Sequence, residues 1–170
     1  MIDVIVERFY ETPLSDEDVM QLASESDGCL SLYGIEWQQS FLGSNGKDMI
    51  CHFRAPDLES LRRALRESGS NFLTSWSSSV HPAGIEAAPT VMVSRRFDEP
   101  VKIEDLQARE DAHGGCLKAH NVRFVHSYFS QDKTRMLCLY AAPDAEAVRH
   151  AQYQAGMPVE SIWAFKHFHP

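Results

Sequence analysis

Met49-Ile50-Cys51-His52-Phe53-Arg54-Ala55-Pro56-Asp57 and Met136-Leu137-Cys138-Leu139-Tyr140-Ala141-Ala142-Pro143-Asp144 are the two stretches that decide how this sequence reads. They lie 87 residues apart and share Met, Cys, Ala, Pro and Asp in register. The same offset places Val4, Val6 and Arg8 on Val91, Val93 and Arg95. It also places Gly28-Cys29-Leu30 on Gly115-Cys116-Leu117 and Trp76 on Trp163, with no gap from Val4 to Trp76. The sequence therefore reads as two copies of one unit. Two copies are too few for a solenoid, which needs three or more.

Each copy predicts the same elements. Residues 2–9 and 90–97 are β-rich. Ser15 followed by Asp16-Glu17-Asp18 resembles a capped helix start. Residues 35–42 and 122–129 are rich in aromatic and β-branched residues, as strands are. Asn45-Gly46 predicts a type I′ hairpin turn, with Gln131-Asp132-Lys133 a weaker counterpart. Residues 48–54 and 135–141 return as third strands. Pro56-Asp57 and Pro143-Asp144 open second helices with Asp as N-cap, and Gly69 and Gly156 end them. Last strands carry Trp76 and Trp163. The order is βαββαβ, the ferredoxin-like pattern. A sheet with helices on one face leaves the other bare. Trp37 and Phe41 alternate there in one copy, and Phe124 and Tyr128 in the other. The expected fold is α+β, two tandem ferredoxin-like (βαββαβ) repeats packed sheet to sheet as an intrachain dimeric α/β-barrel. The expected domains are residues 1–80 and 90–170, joined by a Ser-, Pro- and Gly-containing linker at 81–89.

Composition limits the partners. The chain has 170 residues, 44% hydrophobic and 24% charged, with a net charge of −8. Nothing in it forms a Lys/Arg cluster, so no nucleic-acid partner is expected. No apolar run approaches the roughly 20 residues that span a bilayer, so no membrane partner is expected either. The N-terminal residues read as a strand rather than a leader, and a cytoplasmic protein is the expectation. The four cysteines form no C-x-x-C pair and read as free thiols.

The second copy resembles a small bacterial domain family described as nickel-binding-protein-like. The resemblance rests on Tyr128, on Met136 through Ala151, and on Gly156-Met157-Pro158-Val159-Glu160-Ser161-Ile162. In the first copy it rests on Val6-Glu7-Arg8-Phe9 and on Cys51 through Asp57. It implies a ferredoxin-like fold of the homodimer-forming kind and nickel or another transition metal as cofactor. The two copies depart from each other at Glu7 against Ser94, and at Gly69-Ser70-Asn71 against Gly156-Met157-Pro158.

Six of the eight histidines fall in the second copy, which predicts one unequal site there. His126 shares the period-two face of Phe124 and Tyr128, so a buried imidazole there needs a partner or a ligand. The ligand-lining candidates are His126, Tyr128, Tyr140, Glu7, Gln39 and Trp37. The metal-ligand candidates are His126, His150, His167, His169 and Cys138, since imidazole suits nickel, zinc or copper. His167 and His169 lie on one strand face, about 7 Å apart. Arg8 and Arg95 read as ion-paired or surface residues. No Ser-His-Asp order, phosphate loop or paired carboxylates appear.

The functional expectation is a metal- or small-ligand-binding protein, with homo-oligomers possible. One alternative is a small-molecule enzyme of the dimeric α/β-barrel type, monooxygenase- or isomerase-like. Another is a structural or partner-binding module.

Overall fold

The computed structural model describes residues 1–170. The elements run β1 (Ile2–Phe9), α1 (Asp16–Leu32), β2 (Glu36–Gly43), β3 (Asp48–Ala55), α2 (Leu58–Glu67), β4 (Thr74–Pro82), β5 (Val91–Arg96), α3 (Ile103–Ala112), α4 (Gly114–Ala119), β6 (Arg123–Ser130), β7 (Arg135–Ala141), α5 (Ala145–Ala155) and β8 (Ser161–Phe168). No helix is long and apolar enough to cross a membrane.

The strands correct the expected fold class. They do not form two ferredoxin-like sheets packed face to face. They hydrogen-bond in one closed circuit, β1-β3-β2-β8-β5-β7-β6-β4. The reason lies in the length of β4 and β8. Thr74–Ser78 of β4 pair with β1, but the strand continues to Pro82. Ser161–Ala164 of β8 pair with β5, and that strand continues to Phe168. Each overhang supplies backbone donors and acceptors to an edge that would otherwise stay unpaired, and closure removes sheet edges.

Two compact units result, each containing an overhang. The first is Met1–Ser78 with Lys166–Pro170, and the second is Ser79–Phe165. In the first, Val4, Val6, Cys51 and Phe53 pack beneath α1 and α2 with Leu61, Ala64 and Leu65. In the second, Val91, Val93, Cys138 and Tyr140 pack with Leu106, Val148 and Ala151. Ser15 and Asp18 close a reciprocal capping box at α1. Asp57 accepts from Ser60 N–H at 2.7 Å, and Asp144 from Ala147 N–H at 2.8 Å. The lower cap quality of α3, which starts at Lys102 with no side-chain cap, accompanies the break at His113 before α4.

Two local expectations change. The hairpin between β2 and β3 is not type I′, because Asn45 does not take a positive φ; Gly46 does, at 73°. Gly46 N–H donates to Gly43 C=O while Asn45 Oδ1 accepts from Lys47 N–H. In the second unit, Lys133 takes the left-handed position at φ 64°, supported by Asp132. The second change concerns faces. β2 shifts register between Trp37 and Gln39, and β6 between Phe124 and His126. A bulge adds one residue and reverses every side chain beyond it. Trp37 and Phe124 therefore pack on the helix side. Phe41 and Tyr128, both fully buried, belong to neither helix-side cluster.

Candidate functional site

Arg8 in β1 and Arg95 in β5 hold matching positions in their units. Arg8 lies opposite Met49, and Arg95 opposite Met136. Both point to the helix side, where a guanidinium is costly to bury unless its donors are used.

In the second unit they are used. Arg95 Nε donates to Cys138 Sγ at 3.4 Å, and Nη1 to the Pro158 carbonyl at 2.6 Å. Nη2 donates to the Tyr140 hydroxyl at 3.1 Å and to Gln152 Oε1 at 2.7 Å. The Tyr140 hydroxyl donates in turn to Glu110 Oε2 at 2.7 Å, which lies 3.8 Å from Arg95 Nη2. Burial pushes the Tyr140 and Cys138 pKa values up, so both stay protonated. Burial pulls Arg95 down, but Cys138, Tyr140 and Glu110 more than offset it. The remaining space beside Arg95 is only about 10 Å³.

In the first unit the same position is hollow. Arg8 is 9% exposed, and its Nη1 donates to the Asn71 carbonyl at 2.9 Å. Its Nε has no hydrogen bond. Cys51 and Tyr10 lie close enough to hold Arg8 charged against the opposing effect of burial, yet Nε meets neither in hydrogen-bond geometry. A cavity of about 510 Å³ opens beside it. Trp37, Met49, Phe53, Leu22 and Val19 supply apolar wall, and Ser40 and Tyr10 supply hydroxyls. Trp37 Nε1–H donates to Ser40 Oγ at 2.9 Å, and Ser40 donates to Cys51 Sγ at 3.1 Å, which fixes that wall.

The residues singled out from the sequence are dispersed. Trp37 lines the cavity. Tyr140 and Cys138 belong to the Arg95 network. His126 Nε2 meets the Tyr128 hydroxyl at 3.3 Å. Glu7 accepts from Trp76 Nε1–H at 3.3 Å. Gln39 Oε1 meets His167 Nε2 at 2.8 Å, and Gln39 Nε2 meets His52 Nδ1 at 3.4 Å. The His167 and His169 rings lie 5.6 Å apart. His150 pairs with Glu146 at 3.3 Å and stacks on His120. No group of three or more His, Cys, Asp or Glu side chains is placed to hold a metal ion. The histidines pointed to the second half, whereas the large cavity is in the first. Arg8 was missed because a strand arginine ordinarily reads as surface. The available signal was the 87-residue register, in which Glu110, Tyr140 and Gln152 fall on Ala23, Phe53 and Leu65.

His52 also carries a pH prediction. Burial lowers its pKa from 6.5, against the opposing effect of Asp3, which meets Nε2 at 2.8 Å. His167 is lowered as well, by burial and by His169. The unfolded chain therefore binds protons more readily than the folded one as pH falls below about 6.5. Stability is expected to be full above that pH and to decline through the folded-state pKa values. Urea midpoints at pH 7.5 and 5.5 measure it, and His52→Gln should shrink the difference. An unchanged difference in that variant would show that His52 does not titrate in this window.

No curated protein sequence matches the chain. Among solved structures, the fold resembles chlorite dismutase from Candidatus Nitrospira defluvii, crystallised with imidazole, at a TM-score of 0.55 and 12% identity over 99% of this chain and 91% of that one. At that identity the likeness concerns the fold. The crystal structure of SCO4226 from Streptomyces coelicolor A3(2) matches at 25% identity and a TM-score of 0.38, over 42% of this chain and 89% of that one. Residues 92–164 match the family of nickel responsive proteins that are SCO4226-like, and over that stretch the chain is similar to them.

Proposed function

We propose that this chain binds a small molecule in the cavity of the first unit. The cavity carries the reading. Its volume of about 510 Å³ falls in the range of about 300–1,000 Å³ typical of ligand sites. Its composition fits as well, with an apolar wall and a few polar groups gathered at Arg8, Tyr10 and Ser40. The surrounding core is otherwise closely packed, with Leu61, Ala64 and Leu65 fully buried.

Nickel does not enter this reading. The similarity over residues 92–164 raises it, but no three His, Cys, Asp or Glu side chains converge to hold an ion. A nitrogen- and sulfur-ligated centre needs several donors on one ion, so no step is assigned to it.

A fragment screen followed by amide NMR shifts tests the reading. Neutral and charged fragments of ring size are expected to shift the amides of Ala23, Ser40 and Asn71. Ala23→Phe, which fills the cavity from α1, is expected to remove those shifts while far-UV circular dichroism stays unchanged. A screen that leaves these amides unmoved would sink the proposal.

A further inference from the structure

We infer that the ligand of this cavity is a monocarboxylate with an apolar body, paired with the guanidinium of Arg8. This rests on the cavity reading above and adds the chemical class of the occupant.

The first observation is a buried guanidinium in the cavity wall with one donor, Nε, left without a hydrogen bond. Nη1 of Arg8 is taken by the Asn71 carbonyl. The Nε–H and one Nη2–H lie together on the other edge of the guanidinium. That edge matches the two oxygens of a carboxylate in a bidentate pair. Nε is buried without a hydrogen bond, and Arg8 is among the residues that line the cavity.

The second observation is what stands on that edge in the second unit. There, Cys138, Tyr140 and Gln152 receive the Nε and Nη2 donors, and the Glu110 carboxylate balances the charge. Glu110 is the eighth residue after the N-cap of α3, and Ala23 is the eighth after the N-cap of α1. Gln152 and Leu65 are likewise the eighth residues after Asp144 and Asp57. Tyr140 lies opposite Val91 in its strand pair, and Phe53 opposite Val4. The first unit thus keeps the buried cation and replaces its carboxylate, hydroxyl and amide partners with Ala, Phe and Leu. The space beside the guanidinium grows from about 10 Å³ to about 510 Å³. A ligand carboxylate restores the charge that Glu110 supplies from within the chain.

The surroundings select a monoanion over a dianion. Arg8 is the one cation lining the cavity, so a second negative charge has no counterpart there. Glu25, Asp27 and Glu36 also line it, all exposed. Their charges are screened by solvent, yet they oppose a dianion twice as strongly as a monoanion. The wall from Trp37, Phe53 and Leu22 takes a ring or an alkyl chain.

Matched acids and amides test this by titration calorimetry. The probes are benzoate and benzamide, 2-naphthoate and 2-naphthamide, and octanoate and octanamide. The acids are expected to bind at least about tenfold more tightly than their amides. Arg8→Met should erase the preference. Arg8→Lys, which keeps charge but loses the two-donor edge, should leave part of it. Ala23→Glu, which supplies an internal carboxylate, should abolish acid binding. Equal affinity for acid and amide overturns the carboxylate and leaves the cavity reading standing. A preference that survives Arg8→Met overturns the assignment to Arg8. No binding by any probe to the folded chain overturns the inference, and the separate fragment screen then decides the cavity reading.

Discussion

Arg95→Met is expected to destabilise the chain by about 3–5 kcal/mol, the usual loss when one partner of a buried charged network is removed. The substitution leaves the Glu110 carboxylate 7% exposed with its cation gone. Gln152 Oε1 and the Pro158 carbonyl lose their donors at the same time. The Tyr140 hydroxyl still donates to Glu110, which softens the loss but does not replace a charge. Urea unfolding, followed by the fluorescence of Trp163 in the same unit, measures the change at fixed m-value. The double variant Arg95→Met/Glu110→Leu is expected to recover much of the loss, because no charge is then stranded. A double-mutant cycle reads the coupling. A single-variant loss below about 1 kcal/mol would mean that the network contributes little.

The sequence made the elements legible because their signals are local. Ser15, Asp57 and Asp144 announce helix starts through hydrogen bonds made within three residues. Gly156 announces an end by adopting φ 65°. The closed circuit was not legible, because it depends on where the overhangs of β4 and β8 find partners, and that pairing is non-local. The faces of β2 and β6 were misread for a different reason. Period-two counting assumes no inserted residue, and the bulges after Trp37 and Phe124 break it. The proposed site was hardest to read because it rests on differences between the two units. Ala23, Phe53 and Leu65 look like ordinary core residues one at a time. Only beside Glu110, Tyr140 and Gln152 do they mark a buried guanidinium without an internal carboxylate.

Arg8→Met carries the opposite expected sign to Arg95→Met, although the two arginines hold the same strand position. Removing Arg8 strands no carboxylate. Its Nη1 donates to the carbonyl of Asn71, an exposed residue that water can serve instead. What the substitution removes is a desolvated cation with unused donors, whose burial opposes folding. The expected change lies between none and a gain of about 2 kcal/mol, as when buried charge gives way to apolar atoms of similar volume. Trp37 and Trp76 report on this unit, and urea unfolding again supplies the measurement. The gain in stability should accompany the loss of acid-over-amide preference. A residue kept at a cost to stability in the free protein, and needed for ligand charge, is what a binding site produces. A loss as large as that of Arg95→Met would make Arg8 a structural residue. Its guanidinium would then no longer mark a place for a ligand.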